Sequence, residues 1–345
     1  MLRDETTTTI AAERYRRRRS WIFIIGTNLL SFIFLWLTLR GVDLVGTWNE
    51  ATHMDWRWLT FGAVFNVLVF LLQACRWWYL LLPVERAHYG HFVRATYVGL
   101  YANELLPLRA GELIRCFLLA RSSRIPLSVS FASALIERLF DGVWLMGCFF
   151  IALKIGRLPR AMVRGGDVLL VIIVVLALIL AYGMYGRKQT MNLLFFDVNL
   201  PSWFNTLIED LHLIGHSRFL YYSFFVSGVS MILQMVPIFA IVRAYHLSLP
   251  WQASFTAMVL LRISTALPQA PGNIGLFNWV TARTLALYGL VLSQAKGFSI
   301  VLWTAVTLPL IAVGFVILLL AGIDMAHLHR QATHAAANRR DPKGA

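Results

Sequence analysis

The sequence predicts an all-α polytopic membrane protein, with about six full spans and two broken, re-entrant helical hairpins. Three observations carry that prediction. The 345 residues are 58% hydrophobic and only 14% charged, with mean hydropathy +0.66. A soluble fold of this size cannot hide so much apolar surface, so the bilayer acts as its solvent. The apolar residues gather in runs near the ~20 residues that cross a ~30 Å hydrocarbon core, at roughly 21–39, 58–82, 127–153, 168–185, 219–242 and 298–322. Two further apolar regions, 91–120 and 251–290, are interrupted by "LPLRAGE" and "LPQAPGNIG". Such breaks leave backbone groups unpaired, and these must be buried in protein or line a wet cavity.

Taken in order, residues 1–20 form a basic segment with "RYRRRRS" before an uncharged run from Trp21 to Leu39. That run is too long for a signal-peptide core and no small-x-small cleavage site follows, so it reads as a retained first span. One transmembrane domain is expected over 21–322, then a polar tail over 323–345. With the N-terminus inside, the inner segments hold 17 Lys and Arg against 8 in the outer ones. This places both termini in the cytoplasm of a cell that carries the protein in its plasma or inner membrane. The loop "KIGRLPRAMVRGGD" opposes the bias, with four basic residues on the outer side.

Under this topology each half, about 21–153 and 168–322, reads span, span, hairpin, span. The first hairpin enters from the cytoplasm and the second from the opposite face. Leu106, Pro107 and Gly111 recur as Leu267, Pro268 and Gly272 at an offset of 161. Together these predict an inverted repeat. Two short spans in place of each hairpin keep the same parity.

Several classes are disfavoured. Cys75, Cys116 and Cys148 lie far apart in apolar stretches, without the spacing of a disulfide framework or zinc site. The net charge of +14 is scattered over loops and ends, which suits insertion and anionic lipid better than nucleic acid. No Walker-type GxxxxGK[ST] occurs, and neither a cofactor nor a metal is expected.

The candidate site residues are the charges that interrupt apolar sequence. In the first hairpin, Glu104, Arg109, Glu112 and Arg115 surround Pro107 and Gly111. Glu112 and Arg115 share a helix face. The helix that begins near Gly111 turns its electropositive end to the break, and Arg109 offers a bidentate grip on phosphate. Head-group binding is therefore assigned to Arg109, Gly111 and Arg115. The competing reading is that these charges pair with one another to hold the hairpin.

In "ALIERLFDG", Glu137 and Asp141 face one way and Arg138 aside. They are candidates for ion pairing or proton coupling, or for a structural clasp to Arg115 or Arg109. The second hairpin carries Arg262, Asn273 and Arg283. Its breaks at Pro268, Pro271, Gly272 and Gly275 allow either close approach of a ligand or tight packing. Arg76 is expected to snorkel to the inner interface, beside an aromatic belt of Trp77, Trp78 and Tyr79.

"YANELLPLRAGELIR", "SFASALIERLFDG" and "LPQAPGNIGLF" resemble the signature regions of the lysylphosphatidylglycerol synthase transmembrane-region family, over about residues 20–320. The family pattern maps onto Asn103, Pro107, Arg109, Gly111, Glu112, Glu137, Arg138 and Asp141, and so adds Asn103 to the head-group residues. Family members often carry a glycine and an acidic residue where this chain has Asn273 and Asn278. The resemblance implies a stand-alone, flippase-like domain that moves or positions lipids between leaflets. It does not imply aminoacyl transfer, which belongs to a separate soluble domain, and residues 323–345 are too few to hold one.

The expected function is therefore translocation of an anionic lipid or lipid-linked precursor, with membrane lipids as partners and no enzymatic step. The alternatives are a non-catalytic partner of lipid- or envelope-biosynthesis enzymes, and a polyprenyl-phosphate-dependent glycosyltransferase using Asp43, Glu50 or Asp55. Neither the oligomeric state nor the identity of the lipid follows from the sequence.

Overall fold

The computed structural model describes residues 44–106, 110–156, 217–265 and 271–320, with isolated positions at 33, 36, 37, 40, 171, 174 and 175. The expected spans at 21–39 and 168–185, both termini, and the breaker residues Pro107, Arg109 and Pro268 lie outside the described residues. Everything described is helix, turn or loop, without a strand.

A short helix α1 (Leu44–Thr52) precedes α2 (Trp56–Leu81). Asp55 caps α2 by accepting from the Arg57 N–H at 2.9 Å, and Pro83 stops the helix beyond Leu82. His88 caps α3 (Tyr89–Leu105), which runs into the first break, and α4 (Gly111–Ser122) leaves it. Pro126 opens α5 (Leu127–Ile155).

Helices α6 (Arg218–Leu233) and α7 (Met235–Ala244) form one nearly continuous rod, interrupted at Gln234. Pro237 explains the interruption, because it supplies no N–H to the carbonyl four residues earlier. Helix α8 (Trp251–Ser264), a 3-10 turn (Pro271–Asn273) and α9 (Leu276–Leu287) make the second broken pair, and α10 (Leu292–Leu320) follows.

Among the described residues, three stretches are long and apolar enough to cross a membrane: Trp56–Leu81, Arg218–Ala244 and Leu292–Leu320. Helix α5 is as long as α10 but carries Glu137, Arg138 and Asp141 in its middle. Helix α10 starts six residues before the apolar run, at a point where hydropathy is spoiled by Lys296. The Lys296 ammonium is satisfied there, since it donates to the carbonyls of Leu37 (2.9 Å) and Arg40 (2.6 Å).

Bulky apolar residues face outward along these helices. Phe61, Val64 and Leu68 on α2 and Phe225, Val229 and Ile232 on α6 are all exposed at helical spacing. An outward apolar stripe is the reverse of a soluble helix, and lipid is the solvent that accepts it.

Packing follows an exchange rule. Helix α2 packs on α6–α7, and every other main contact has a counterpart when α2 is swapped with α6–α7, α3 with α8, α4 with α9 and α5 with α10. Thus α3–α10 mirrors α8–α5, α4–α5 mirrors α9–α10, α2–α3 mirrors α7–α8, and α2–α10 mirrors α6–α5. The equivalence does not reach local geometry. Gly111 is the first residue of a helix, whereas Gly272, its match by offset, adopts φ 72° in the 3-10 turn.

Two apolar clusters result. One joins Trp77, Phe92, Leu119, Ile136 and Phe140. The other joins Met146, Phe149, Val259, Leu285 and Phe298. Along α5 the change from one cluster to the other falls between Phe140 and Trp144, next to Asp141 of the polar site.

Candidate functional site

Where α2, α4 and α5 meet, three arginines and three carboxylates close a ring of alternating charge. Arg76 on α2 donates Nε to Glu137 Oε1 at 3.0 Å and Nη1 to Asp141 Oδ1. Arg115 Nη2 on α4 reaches Glu137 Oε2 at 2.7 Å and Glu112 Oε2 at 2.9 Å. Arg138 completes the circuit, with Nη2 3.0 Å from Glu112 Oε1 and Nη1 3.7 Å from Asp141 Oδ2.

Each carboxylate therefore bridges two guanidiniums and the formal charges cancel. Helical spacing makes the ring possible: Glu137 and Asp141 stand four apart, and Glu112–Arg115 and Arg138–Asp141 three apart.

The ring has a dry edge and a wet edge. Arg76, Arg115 and Glu137 are buried, at 1%, 6% and 0% exposure. The side chains of Arg138, Glu112 and Asp141 are 45%, 32% and 25% exposed. Burying one ion costs several kcal/mol, which only pairing and full hydrogen bonding offset. The dry edge answers most of this demand, with neutral groups adding to the ion pairs, although Arg115 Nε makes no hydrogen bond among the described residues. Arg76 Nη1 donates to Ser227 Oγ on α6 at 2.9 Å, and the Arg115 guanidinium lies 4.8 Å over the Trp77 ring.

The ring corrects two sequence expectations. Arg76 does not snorkel, because two carboxylates hold it in the interior. Trp77 does not belong to an interfacial belt: it is fully buried and donates Nε1 to Ser133 Oγ at 2.8 Å. Arg76 is the site residue that sequence reading missed. The available signal was the stripe Asn66, Gln73, Arg76, spaced seven and three, on a helix that is otherwise apolar.

The wet edge opens into a cavity of about 210 Å³. Its wall comes from both broken pairs: Asn103 and Glu104 end α3, Glu112 opens α4, Arg262 ends α8, and Gly272 and Asn273 form the second break. Asn66 and Gln73 of α2 and Gln234 at the α6–α7 interruption close the sides. The two breaks meet here, and a Cβ placed on Gly272 comes within 3.9 Å of the Glu104 carbonyl.

Trp303 Nε1 holds the second break by donating to the Gly272 carbonyl at 2.7 Å. Gly272 (φ 72°) and Asn273 (φ 51°) are successive left-handed residues, a backbone that glycine and asparagine tolerate best. At the first break, a Cβ on Gly111 collides with the Gly99 carbonyl and lies 2.6 Å from Asn103 Oδ1. Only glycine allows α3 and α4 to approach so closely.

The predicted residues thus separate. Asn103, Glu104, Glu112, Arg138, Asp141, Arg262, Gly272 and Asn273 line the cavity. Arg115 and Glu137 lie behind it, and the expected clasp between hairpin and span exists as the Arg115–Glu137 pair. Asn278 is buried away from the cavity. It accepts from the Gly275 N–H at 3.2 Å and donates to the Ser299 carbonyl at 3.0 Å, tying the start of α9 to α10. Gly275 turns the chain there at φ 90°, and Pro271 opens the 3-10 turn.

Of the acidic residues considered for catalysis, Asp55 caps α2 and Glu50 Oε1 accepts from Gln294 Nε2 at 3.2 Å. Asp43 lies outside the described residues.

Comparison with known proteins agrees with this architecture. A UPF0104 membrane protein of Methanothermobacter thermautotrophicus is 21% identical over 291 residues, which are 79% of this chain and 84% of that protein. Residues 23–328 match the lysylphosphatidylglycerol synthase TM region, so the chain belongs to that family of membrane proteins.

Proposed function

We propose that the protein is a flippase-like lipid translocator, in which the cavity between the two helix breaks receives a lipid head group while the acyl chains stay in the bilayer. The observation that carries this reading is a polar, charge-walled cavity inside an otherwise apolar helical protein, bounded by both breaks. Intramembrane ionisable groups are costly and mark substrate paths, and transporters commonly place their sites where broken helices of two repeats meet.

The helix lengths favour re-entrant pairs over full spans. Helices α3, α4, α8 and α9 have 17, 12, 14 and 12 residues. At 1.5 Å per residue each extends about 18–26 Å, short of the ~30 Å core. The pairwise exchange of packing partners fits two inverted repeats, with α2–α5 equivalent to α6–α10. In the wet edge, Arg138 is the most exposed guanidinium of the ring and the one through which an anionic phosphate is gripped, in exchange for Glu112. Arg109, three residues before Glu112 in sequence, is a second candidate for the same role.

Head-group-labelled lipids in proteoliposomes test this. Movement between leaflets should require the protein and fall by about tenfold or more in Arg138→Gln, the loss expected when a charge-assisted hydrogen bond is removed. Absence of protein-dependent movement for anionic, zwitterionic and glycosylated lipids alike would overturn the proposal.

A further inference from the structure

The ring charges on the cavity wall are committed to one another, whereas its neutral amides keep hydrogen-bonding capacity to spare. Each ring carboxylate already holds two guanidiniums, and Glu104 and Arg262, the other charged wall residues, also have partners. Five carboxamides face the same space: Asn66, Gln73, Asn103, Gln234 and Asn273.

Two of these are oriented by the helices. Asn66 Nδ2 donates to the Val306 carbonyl at 2.9 Å, three residues before Pro309 of α10, and Gln234 Nε2 donates to the Ser230 carbonyl at 3.1 Å. One N–H of each NH₂ is used, so the amide oxygen and the second N–H are left over. Asn103 Oδ1 is buried without a hydrogen-bond partner. Gln73 and Asn273 make no side-chain hydrogen bond among the described residues, and each offers both donor and acceptor.

We infer that this cavity recognises a polyhydroxylated head group, such as a glycerol, an inositol or a single sugar ring, through its ring of carboxamides. Hydroxyls both donate and accept, so a polyol satisfies amide oxygens and amide N–H groups together. An ammonium group donates only and leaves the amide N–H groups unanswered, while each ring carboxylate already holds two guanidiniums. Phe70 and Phe277 on the same wall offer flat apolar surface to the C–H faces of a ring, the usual complement to a few placed polar groups. The volume, below the ~300 Å³ at which drug-sized sites begin, fits one such group and not a chain of them. This inference rests on the reading of the cavity as a head-group site and adds the class of head group.

The test uses the full chain in phosphatidylcholine nanodiscs, because glycoside detergents present the same hydroxyls. Unfolding temperature is followed while phosphatidylinositol, phosphatidylglycerol or a monoglucosyl diacylglycerol is titrated in, against phosphatidic acid and phosphatidylethanolamine. Free myo-inositol and methyl glucoside are the water-soluble arms. The hydroxyl-rich lipids should raise the unfolding temperature.

Half-saturation should weaken about tenfold in Gln73→Leu and in Asn273→Gly, the expected loss for hydrogen bonds to a buried ligand. Glycine keeps the left-handed backbone at 273, and both variants should unfold without ligand at the wild-type temperature. Equal response to the free polyols would place the recognised group in solution and still support polyol recognition. Phosphatidylethanolamine binding as well as phosphatidylinositol would overturn the polyol assignment and leave lipid transit standing. No response to any lipid, with no lipid movement in proteoliposomes, would overturn both.

Discussion

At the scale of single residues, Glu137 is the keystone of the charge ring, since it is fully buried and receives both Arg76 and Arg115. Replacing it by leucine leaves three guanidiniums to two carboxylates, with buried Arg76 and Arg115 each reduced to one ionic partner, and should cost about 3–5 kcal/mol. Replacing Arg76 by methionine should cost a comparable amount, since it leaves three carboxylates to two guanidiniums, with Glu137 and Asp141 each reduced to one ionic partner. The double variant leaves Arg115, Glu112, Arg138 and Asp141 in a balanced chain, so its cost should be well below the sum of the singles. Denaturant unfolding of the purified protein measures all three. Additive losses would mean that Arg76 and Glu137 stabilise the fold independently and that the ring is no cooperative unit.

The same residues show what sequence reading can reach. Glu112, Arg115, Glu137, Arg138 and Asp141 stood out because a charge in apolar sequence demands an explanation. Arg76 had an explanation ready in snorkelling, since a flexible stem near a helix end reaches the interface without help. The amides Asn66, Gln73 and Gln234 demanded none, because a neutral polar side chain costs little wherever a partner is close.

At the scale of elements, contact between helices depends on glycines that admit a neighbour. Gly228 on α6 faces the indole of Trp144 on α5, and a Cβ there overlaps the ring. The indole cannot swing away freely, because Nε1 donates to the Phe224 carbonyl at 2.9 Å. Gly228→Leu should therefore separate α5 from α6 and destabilise the protein by about 1–3 kcal/mol, as overpacking does. Ser227, next in sequence, also contacts Arg76 and Asp141. Lipid movement should fall with the loss in unfolding temperature, and full activity with an unchanged unfolding temperature would show that α5 and α6 do not pack as described.

Long apolar helices and the positions of the breaks were legible from hydropathy, proline and glycine. The interruption at Gln234 was not, since Pro237 inside an apolar run looks like an ordinary span until the helix axis is traced.

At the scale of the whole molecule, the proposed inverted repeat predicts which loops share a side of the membrane. The Asp55 N–H donates to the Ala244 carbonyl at 2.9 Å, which sets the loop 245–250 against the start of α2. The loop 83–88 follows the end of α2, 26 residues away and about 39 Å along the helix axis.

With Cys75, Cys116 and Cys148 replaced, Arg86→Cys and Ser248→Cys place single thiols at exposed positions in those two loops. An impermeant thiol reagent should label Ser248→Cys from outside the cell, and Arg86→Cys only in inside-out vesicles. Labelling of both from one side would rule out the inverted repeat.

The sequence by itself determined the solvent, the approximate spans, the two breaks and the set of charges that needed burial, because these follow from composition and spacing along one chain. Tertiary structure alone decided which charges pair, that Arg76 closes the ring, and that the two breaks face one cavity walled by amides. Those outcomes depend on which faces of distant helices meet, from α2 at Arg76 to α6 at Ser227 and from Glu104 to Gly272. Local propensity does not encode such meetings; only packing the apolar faces together, with the buried charges paired, selects them.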